Sequence, residues 1–448
     1  MSHRHHAGWK VFGIALLTAL ASTAPGRSQF GIVISGVGPV NRSMGGASTA
    51  APIDAAGATY WNPASITGLG HSEMEFGVAF LYPISTLSSS VPAGALGPFT
   101  PPVPLSGSTH SEDGVFPLPS FGLVVQPEDS PWTFGMGVYE VGGFAANYSA
   151  STANPILTPQ PPRGLGVGPL FSELQVFQLA PTVAARLTDH LSVGVAPTLS
   201  MATLRVDPFL IGTPDVLAPG VLSYETGTHT RLAFGGGFQA GVYLTTDAGW
   251  NLGASAKSPQ WFEPARFKAV NAAGLPVTNT FHADYPMILS LGTAYTGFER
   301  WVLAADVRYV DYRNTKGFRQ GGFDPTGALR GLGWDSILAV ALGAQYQWSE
   351  ALSLRAGYTY NDNPVTNFES GFNIASPVIV QHTLAVGFSY RATDALALSV
   401  AYTHDFENSV DGPLQTPRGA VPGTSVKNAV AADSLVIGAT VRFGGGKN

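Results

Sequence analysis

Cysteine is absent from the 448 residues, which excludes disulfides and thiolate metal sites. Charge is scarce as well. Lys, Arg, Asp and Glu together make up 12% of the chain, about half the ~25% usual for a soluble protein. A soluble chain of this length covers itself with such residues, so part of this surface does not meet water. The 23 basic residues are outnumbered by 29 acidic ones, for a formal charge of −6, and the basic stripe that a nucleic-acid partner needs is missing. Long apolar runs are missing too: the nearest, Val11 to Ala21, falls well short of the ~20 residues of a membrane helix. Aromatics at 11% exclude a disordered chain. A membrane protein without membrane helices has one other way across, the closed β-barrel.

The first residues form a separate unit. Arg4 and Lys10 precede the apolar core Val11–Ala21, and small residues with a proline follow (STAPGRSQ). This is the three-part layout of a secretory signal peptide, assigned to residues 1–28. Cleavage after Ala21, Ala24 or Ser28 fits the pattern, and a mature start at Gln29 is favoured. With Arg4, Lys10 and Arg27 removed, the mature charge is 20 − 29 = −9.

From residue 72 onward one device repeats: alternation of apolar and small or polar residues over about ten positions, then a break. Leu435, Ile437, Ala439, Val441 and Phe443 share one face of a segment whose other face is Ser434, Gly438, Thr440 and Arg442. Fourteen strands are predicted, near 72–82, 118–126, 132–143, 173–188, 191–206, 230–246, 249–258, 282–297, 300–313, 334–348, 351–361, 378–391, 395–406 and 430–443. A soluble sandwich alternates in the same way, so the connections decide. Breaks after even-numbered strands are tight, as at Asp247-Ala248, Ser349-Glu350 and Thr393-Asp394. Breaks after odd-numbered strands are long and rich in Gly, Pro, Ser and Asn. Short turns at one end and long loops at the other mark an outer-membrane barrel. Trp301, Trp348, Tyr390 and Phe443 lie where an interfacial girdle would fall. The fold expected is all-β: a 14-stranded antiparallel transmembrane β-barrel over 71–443, with a short tail at 444–448. Its surroundings would be outer-membrane lipids and lipopolysaccharide of a Gram-negative cell.

Residues 29–70 do not alternate. Gly31, Gly36, Gly38, Gly45, Gly46, Asp54, Asn62 and Pro63 make the segment turn-rich, and it is too short for a domain. A barrel of fourteen strands has a lumen to fill, so the segment is expected inside it as a plug. The run Ser43-Met44-Gly45-Gly46-Ala47, then Asp54-Ala55-Ala56, then Trp61-Asn62-Pro63-Ala64-Ser65-Ile66-Thr67 resembles the N-terminal hatch of FadL/TodX-type outer-membrane transporters of hydrophobic compounds. Gly135-Met136-Gly137-Val138-Tyr139 with Gly142-Gly143 looks like the family's third strand. Ala180–Ala184 and Leu191–Gly194 are similar to its fourth and fifth, and Asn363-Pro364-Val365 to the segment after the eleventh. The resemblance covers nearly all of Gln29 to Phe443.

The resemblance implies passive, ligand-gated uptake. Extracellular loops capture a hydrophobic molecule, it binds against the hatch, and a kink in the third strand releases it sideways into the bilayer. Long-chain fatty acids are the leading cargo and aromatic hydrocarbons the alternative. Mapped onto this chain, Asn62, Pro63 and Ala64 form the gating triplet, although Asn-Pro by itself also starts an ordinary turn. Gly142 and Gly143 are candidates for the strand irregularity, with the plain end of a strand as the competing reading. Phe209, Leu210, Ile211, Trp261 and Phe262 belong to the capture loops at 207–229 and 259–281, where exposed apolar clusters bind something or pack on one another. Arg308, Arg355, Arg391 and Arg442 fall on the inward phase, either meeting a ligand carboxylate or pairing with Asp306 or Asp405. The lumen phase is otherwise small, as at Ala339, Ala341 and Gly343, which suits a narrow or apolar passage.

No catalytic residue, metal site or cofactor is expected. His382 and His404 stand on the outward phase, yet no Gly-x-Ser-x-Gly elbow lies near them, so the protein reads as no enzyme. An adhesin or structural barrel with long Pro-rich loops at 84–117 and 144–172 is the rival reading, followed by a general porin. The expected partner is a hydrophobic small molecule, with no nucleic acid, and the barrel is expected to be a monomer.

Overall fold

A computed structural model describes residues 29–95 and 103–444; the signal-peptide assignment, and all but the first residue of the tail at 444–448, lie outside them. Fourteen antiparallel strands follow one another around the wall: β1 (Ser72–Val91), β2 (Phe116–Val125), β3 (Trp132–Tyr148), β4 (Leu170–Arg186), β5 (Leu191–Asp207), β6 (Arg231–Thr245), β7 (Trp250–Lys257), β8 (Met287–Tyr295), β9 (Trp301–Asp311), β10 (Ile337–Gln347), β11 (Leu352–Asn361), β12 (His382–Arg391), β13 (Leu396–Gly412) and β14 (Ser425–Phe443). Pairing of β14 with β1, from Phe443 opposite Ser72 to Ser425 opposite Ser90, closes the ring. Closure leaves the ring without a terminal edge strand, the condition for a sheet to stand in hydrocarbon.

Each strand shows the expected alternation. Leu435 and Ile437 of β14 stand 45% exposed on the outer wall, while Ser434 and Val436 are buried inside. The short-turn end carries ring pairs, Trp301 with Tyr346 and Trp250 with Tyr295, each at 4.7 Å. Several strands outrun their expected lengths. β1, β13 and β14 rise beyond the apolar band, and Ser88, Ser89 and Ser90 of β1 mark a polar extension that hydropathy alternation does not register.

The segment before β1 fills the lumen. Every residue from Phe30 to Ala51 and from Asp54 to Thr67 is buried. It contains a tight hairpin (Gln29–Phe30 against Val33–Ile34), helix α1 (Gly38–Ser43) and helix α2 (Ala55–Trp61). Pro39 opens α1 within its first turn, where its missing N–H is no loss. Asp54 caps α2, accepting the Gly57 N–H at 2.9 Å, as an N-cap carboxylate does.

The wall is shaped to receive this plug. Glycines face each other across adjacent strands: Gly194 with Gly241, Gly253 with Gly292, Gly343 with Gly357 and Gly77 with Gly438. A Cβ at these positions would collide with the plug, with Asn62 at Gly241, Thr49 at Gly253, Met44 at Gly343 and Pro39 at Gly438. The small lumen residues therefore do not line an open passage. They seat the hatch, and Ala341 packs in the same cluster as Met44 and Ala47.

Candidate functional site

Asn62 sits where α2 ends, and its side chain ties plug to wall. Nδ2 donates to the carbonyls of Thr49 at 2.8 Å and Val242 of β6 at 3.0 Å, while Oδ1 accepts the Ala64 N–H at 3.0 Å. Pro63 and Ala64 lie against Gly194, close enough that any side chain there would displace them. The Gln239 amide of β6 donates to the carbonyl of Trp61 at 2.9 Å.

Arg308 of β9 is a second tether. It pairs with Asp306 at 2.5 Å and donates to the Gly46 carbonyl at 2.8 Å. Asp306 in turn accepts the N–H groups of Ser48 and Thr49 at 2.9 and 3.0 Å. The guanidinium lies 3.5 Å from the Trp61 ring centroid.

Above these tethers the plug and wall meet in an aromatic cluster. Tyr60 contacts Trp61 at 4.5 Å and Tyr139 at 5.2 Å, and Phe30 lies 6.3 Å from Trp61. Tyr312 and Trp334 pack at 4.9 Å, and the Tyr312 hydroxyl bonds to the Phe30 carbonyl and accepts the Ile32 N–H. Into this cluster projects Lys257, at the end of β7. Its ammonium is buried, stands 4.2 Å over the Tyr60 ring, and has no hydrogen-bond acceptor among the described residues. The sequence reading missed Lys257 although the signal was there: it shares the inward phase with Ser255.

The third strand is broken where Gly142 and Gly143 pointed, one residue earlier. The register of β3 against β4 shifts between Glu140 and Gly142, so Val141 is the extra residue, and its carbonyl accepts the Tyr285 hydroxyl at 2.9 Å. The glycines serve close approach instead. Gly142 pairs with Val33 of the plug hairpin, and the Gly143 N–H donates to Ile32 at 3.0 Å.

The wall is open beside this bulge. β2 pairs with β3 only from Val125–Phe134 up to Ser120–Tyr139. Higher up, the next bond across the gap is Glu112 N–H to the Asn147 carbonyl at 2.8 Å. Pro117 and Pro119 remove two backbone donors from the free stretch of β2. Between those limits the plug hairpin is what backs the window.

The loop residues divide. Phe209 is fully buried and packs on Phe267 at 4.7 Å, Phe262 and Leu210 are buried, and Ile211 packs against the same core. Together they cap the extracellular end, and burial pushes the carboxyl of Glu225, beside Phe209 in this cap, above its ordinary value. Trp261 corrects the expectation. It is 52% exposed and lies 6.5 Å from Phe238 on the outer wall, because its segment continues the sheet along β6 and the alternation turns it outward. Arg355 is a second correction. It bonds to Gln345 and Ser389, each at 2.7 Å, and lines a small open pocket with Glu73, Arg391 and Arg442 at the short-turn end. The plug separates it from the aromatic cluster. On the outer wall His404 pairs with Asp433 at 3.0 Å and His382 with Tyr358 at 2.6 Å; among the described residues neither bonds to a serine.

The family profile of outer membrane protein transport proteins (OMPP1/FadL/TodX) matches residues 18–444. The chain belongs to that family. Among solved structures, the Pseudomonas putida toluene transporter TodX aligns at 17% identity over 92% of this chain and 100% of that chain, with a TM-score of 0.66. The Ralstonia pickettii toluene transporter TbuX gives 18% identity, 92% and 99% coverage and a TM-score of 0.64. A Pseudomonas aeruginosa FadL homologue gives 14%, 92%, 99% and 0.66. At these identities the likeness is one of fold. No curated protein sequence matches the chain. Family membership places the protein in the Gram-negative outer membrane as a channel for hydrophobic compounds.

Proposed function

We propose that the protein takes up amphipathic acids, long-chain fatty acids foremost, with Asn62, Pro63 and Ala64 holding the gate and Lys257 receiving the acid head. The observation that carries this reading is the Lys257 ammonium, buried over Tyr60 without an acceptor among the described residues. A buried charge without a partner is costly, and a carboxylate arriving there would relieve it. The aromatic cluster would take the start of the chain, with transfer from water favourable by about 0.8 kcal/mol per CH₂. Arg308 keeps to the hatch, being already engaged by Asp306 and Gly46.

In this reading the loop cap around Phe209, Leu210, Ile211 and Phe262 loosens to admit cargo. The hairpin at 29–34 then leaves the window beside Gly142 and Gly143, and cargo passes sideways into the bilayer. Each barrel would act as a monomer, since one ring holds plug, cap and window. Aromatic hydrocarbons are the second reading, favoured by the density of rings around Tyr60 and Trp61.

The test is uptake of labelled oleate and labelled toluene by a bacterial host lacking its own fatty-acid transporter. An Asn62→Ala variant, matched for amount in the outer membrane, serves as comparison. Oleate uptake that falls in the variant supports the acid reading, and toluene uptake alone supports the hydrocarbon reading. No uptake of either, with folded barrel present, removes both and brings the adhesin forward.

A further inference from the structure

The window beside β3 holds a polar group that plug and wall leave unused. A small pocket opens there, lined by Ile34 of the plug, Leu81, Leu118, Phe144, Gln175 and Glu140 among others. Ile34, Leu81 and Leu118 make its walls apolar and are themselves buried. Glu140 is 4% exposed, directly precedes the bulged Val141, and its Oε2 has no hydrogen-bond partner among the described residues. A carboxyl shut away from water in this manner keeps its proton, so it offers the pocket an O–H donor beside a carbonyl acceptor. Two charged side chains act on it through space, Arg42 of α1 and Glu173 of β4, which also lines the pocket. Arg42 is engaged elsewhere, its Nε donating to the Gly36 carbonyl at 3.0 Å, and Glu173 stands in register opposite Arg205. The two are opposite in sign, so hydrogen bonding rather than net charge sets what the pocket takes.

We propose that Glu140 is a second head-group site, placed at the lateral exit, which holds the carboxyl head of an acid cargo by hydrogen bonding. The proposal rests on the acid-uptake reading above and deepens it: Lys257 receives the head by charge, and Glu140 carries it across the apolar window. A carboxylate head accepts the Glu140 O–H, and a protonated head accepts it and donates back to the Glu140 carbonyl. Without such a partner the head would cross an apolar passage with its polar atoms bare, which is costly. A plain hydrocarbon has no head to hold and gains nothing from Glu140.

The experiment measures initial uptake of labelled oleate and labelled octadecene, chains of like length with and without the head. Cells carry the native protein, Glu140→Leu or Glu140→Gln in equal outer-membrane amount. Leucine keeps bulk and burial but cannot hydrogen-bond, whereas the glutamine amide still donates and accepts. The oleate-to-octadecene ratio is expected to fall about tenfold in Glu140→Leu and to stay within about twofold of native in Glu140→Gln. An unchanged ratio in Glu140→Leu overturns the site. So does an equal fall in Glu140→Gln, because lost charge or lost packing would then explain both. Should Glu140→Leu not reach the outer membrane, Glu140→Ala, which crowds nothing, takes its place under the same expectations. Uptake of neither label by the native protein would overturn the transport reading, and octadecene without oleate the acid reading. The site falls with either, and the native control tells those failures from its own.

Discussion

Lys257 and Asn62 do different work with the same kind of atom, a side-chain nitrogen buried between plug and wall. Asn62 is satisfied, with two carbonyls at 2.8 and 3.0 Å; Lys257 is not. The first reads as a clasp and the second as a receptor. Removing a charge-assisted hydrogen bond is worth about 1.5–3 kcal/mol, which is roughly a ten- to hundredfold change in an equilibrium. Lys257→Met, which keeps the stem and deletes the charge, should therefore lower the ratio of oleate to toluene uptake about tenfold or more. An unchanged ratio would leave Lys257 a packing residue. Asn62→Ala deletes the clasp to Val242 and should weaken hatch seating by about 1–3 kcal/mol; hydrogen exchange of the α2 amides, faster in the variant, would show it.

At the scale of elements the third strand shapes the window in the wall. One extra residue, Val141, re-aims the chain so that β3 leaves β2 and turns toward the plug. Deleting Val141 should restore an even register against β4, bring β3 back alongside β2, and narrow the window. Uptake should then fall to the level of host cells without the protein, while the loops still capture ligand. A deletion variant that folds and transports at the native rate would show that cargo leaves elsewhere. The sequence pointed to this stretch through Gly142 and Gly143, but a register shift is a relation between two strands. Neither glycine has to be the bulged residue for both to be needed, since what they permit is close approach to Ile32 and Val33 of the plug.

At the scale of the whole molecule the barrel is a socket fitted to its plug. The paired glycines of the wall and the turns of the hatch occupy one level, and neither surface makes sense without the other. Gly241→Val would push on Asn62 Oδ1 while leaving the strand pairing intact, since valine favours strands. The expected outcome is a barrel that assembles and keeps its heat-modifiable migration on gels, but conducts small ions in planar bilayers because the plug sits loosely. Conductance as low as that of the native protein would mean that the wall yields and the plug stays.

Much of this was legible from one sequence because of the two media around the wall. Alternation at period two, tight turns after even-numbered strands and aromatics at the strand ends follow from a sheet with lipid on one side, and they identify the fourteen strands in order, though not the full length of β1, β13 and β14. The inward phase of Arg308 also follows; Asn62 stands out only through the resemblance that the motif Asn62-Pro63-Ala64 carries, and its bonds to Thr49 and Val242 come from the fold. What tertiary structure alone decided depends on distance between segments remote in sequence. Trp261 turns outward because its segment pairs with Gly235 and Gly236, and Arg355 lies beneath the plug because the plug ends above it. The lumen glycines looked like a lining until Met44, Thr49 and Pro39 were found against them. Periodicity tells which way a side chain points; only closure of the barrel around the hatch tells what it meets there.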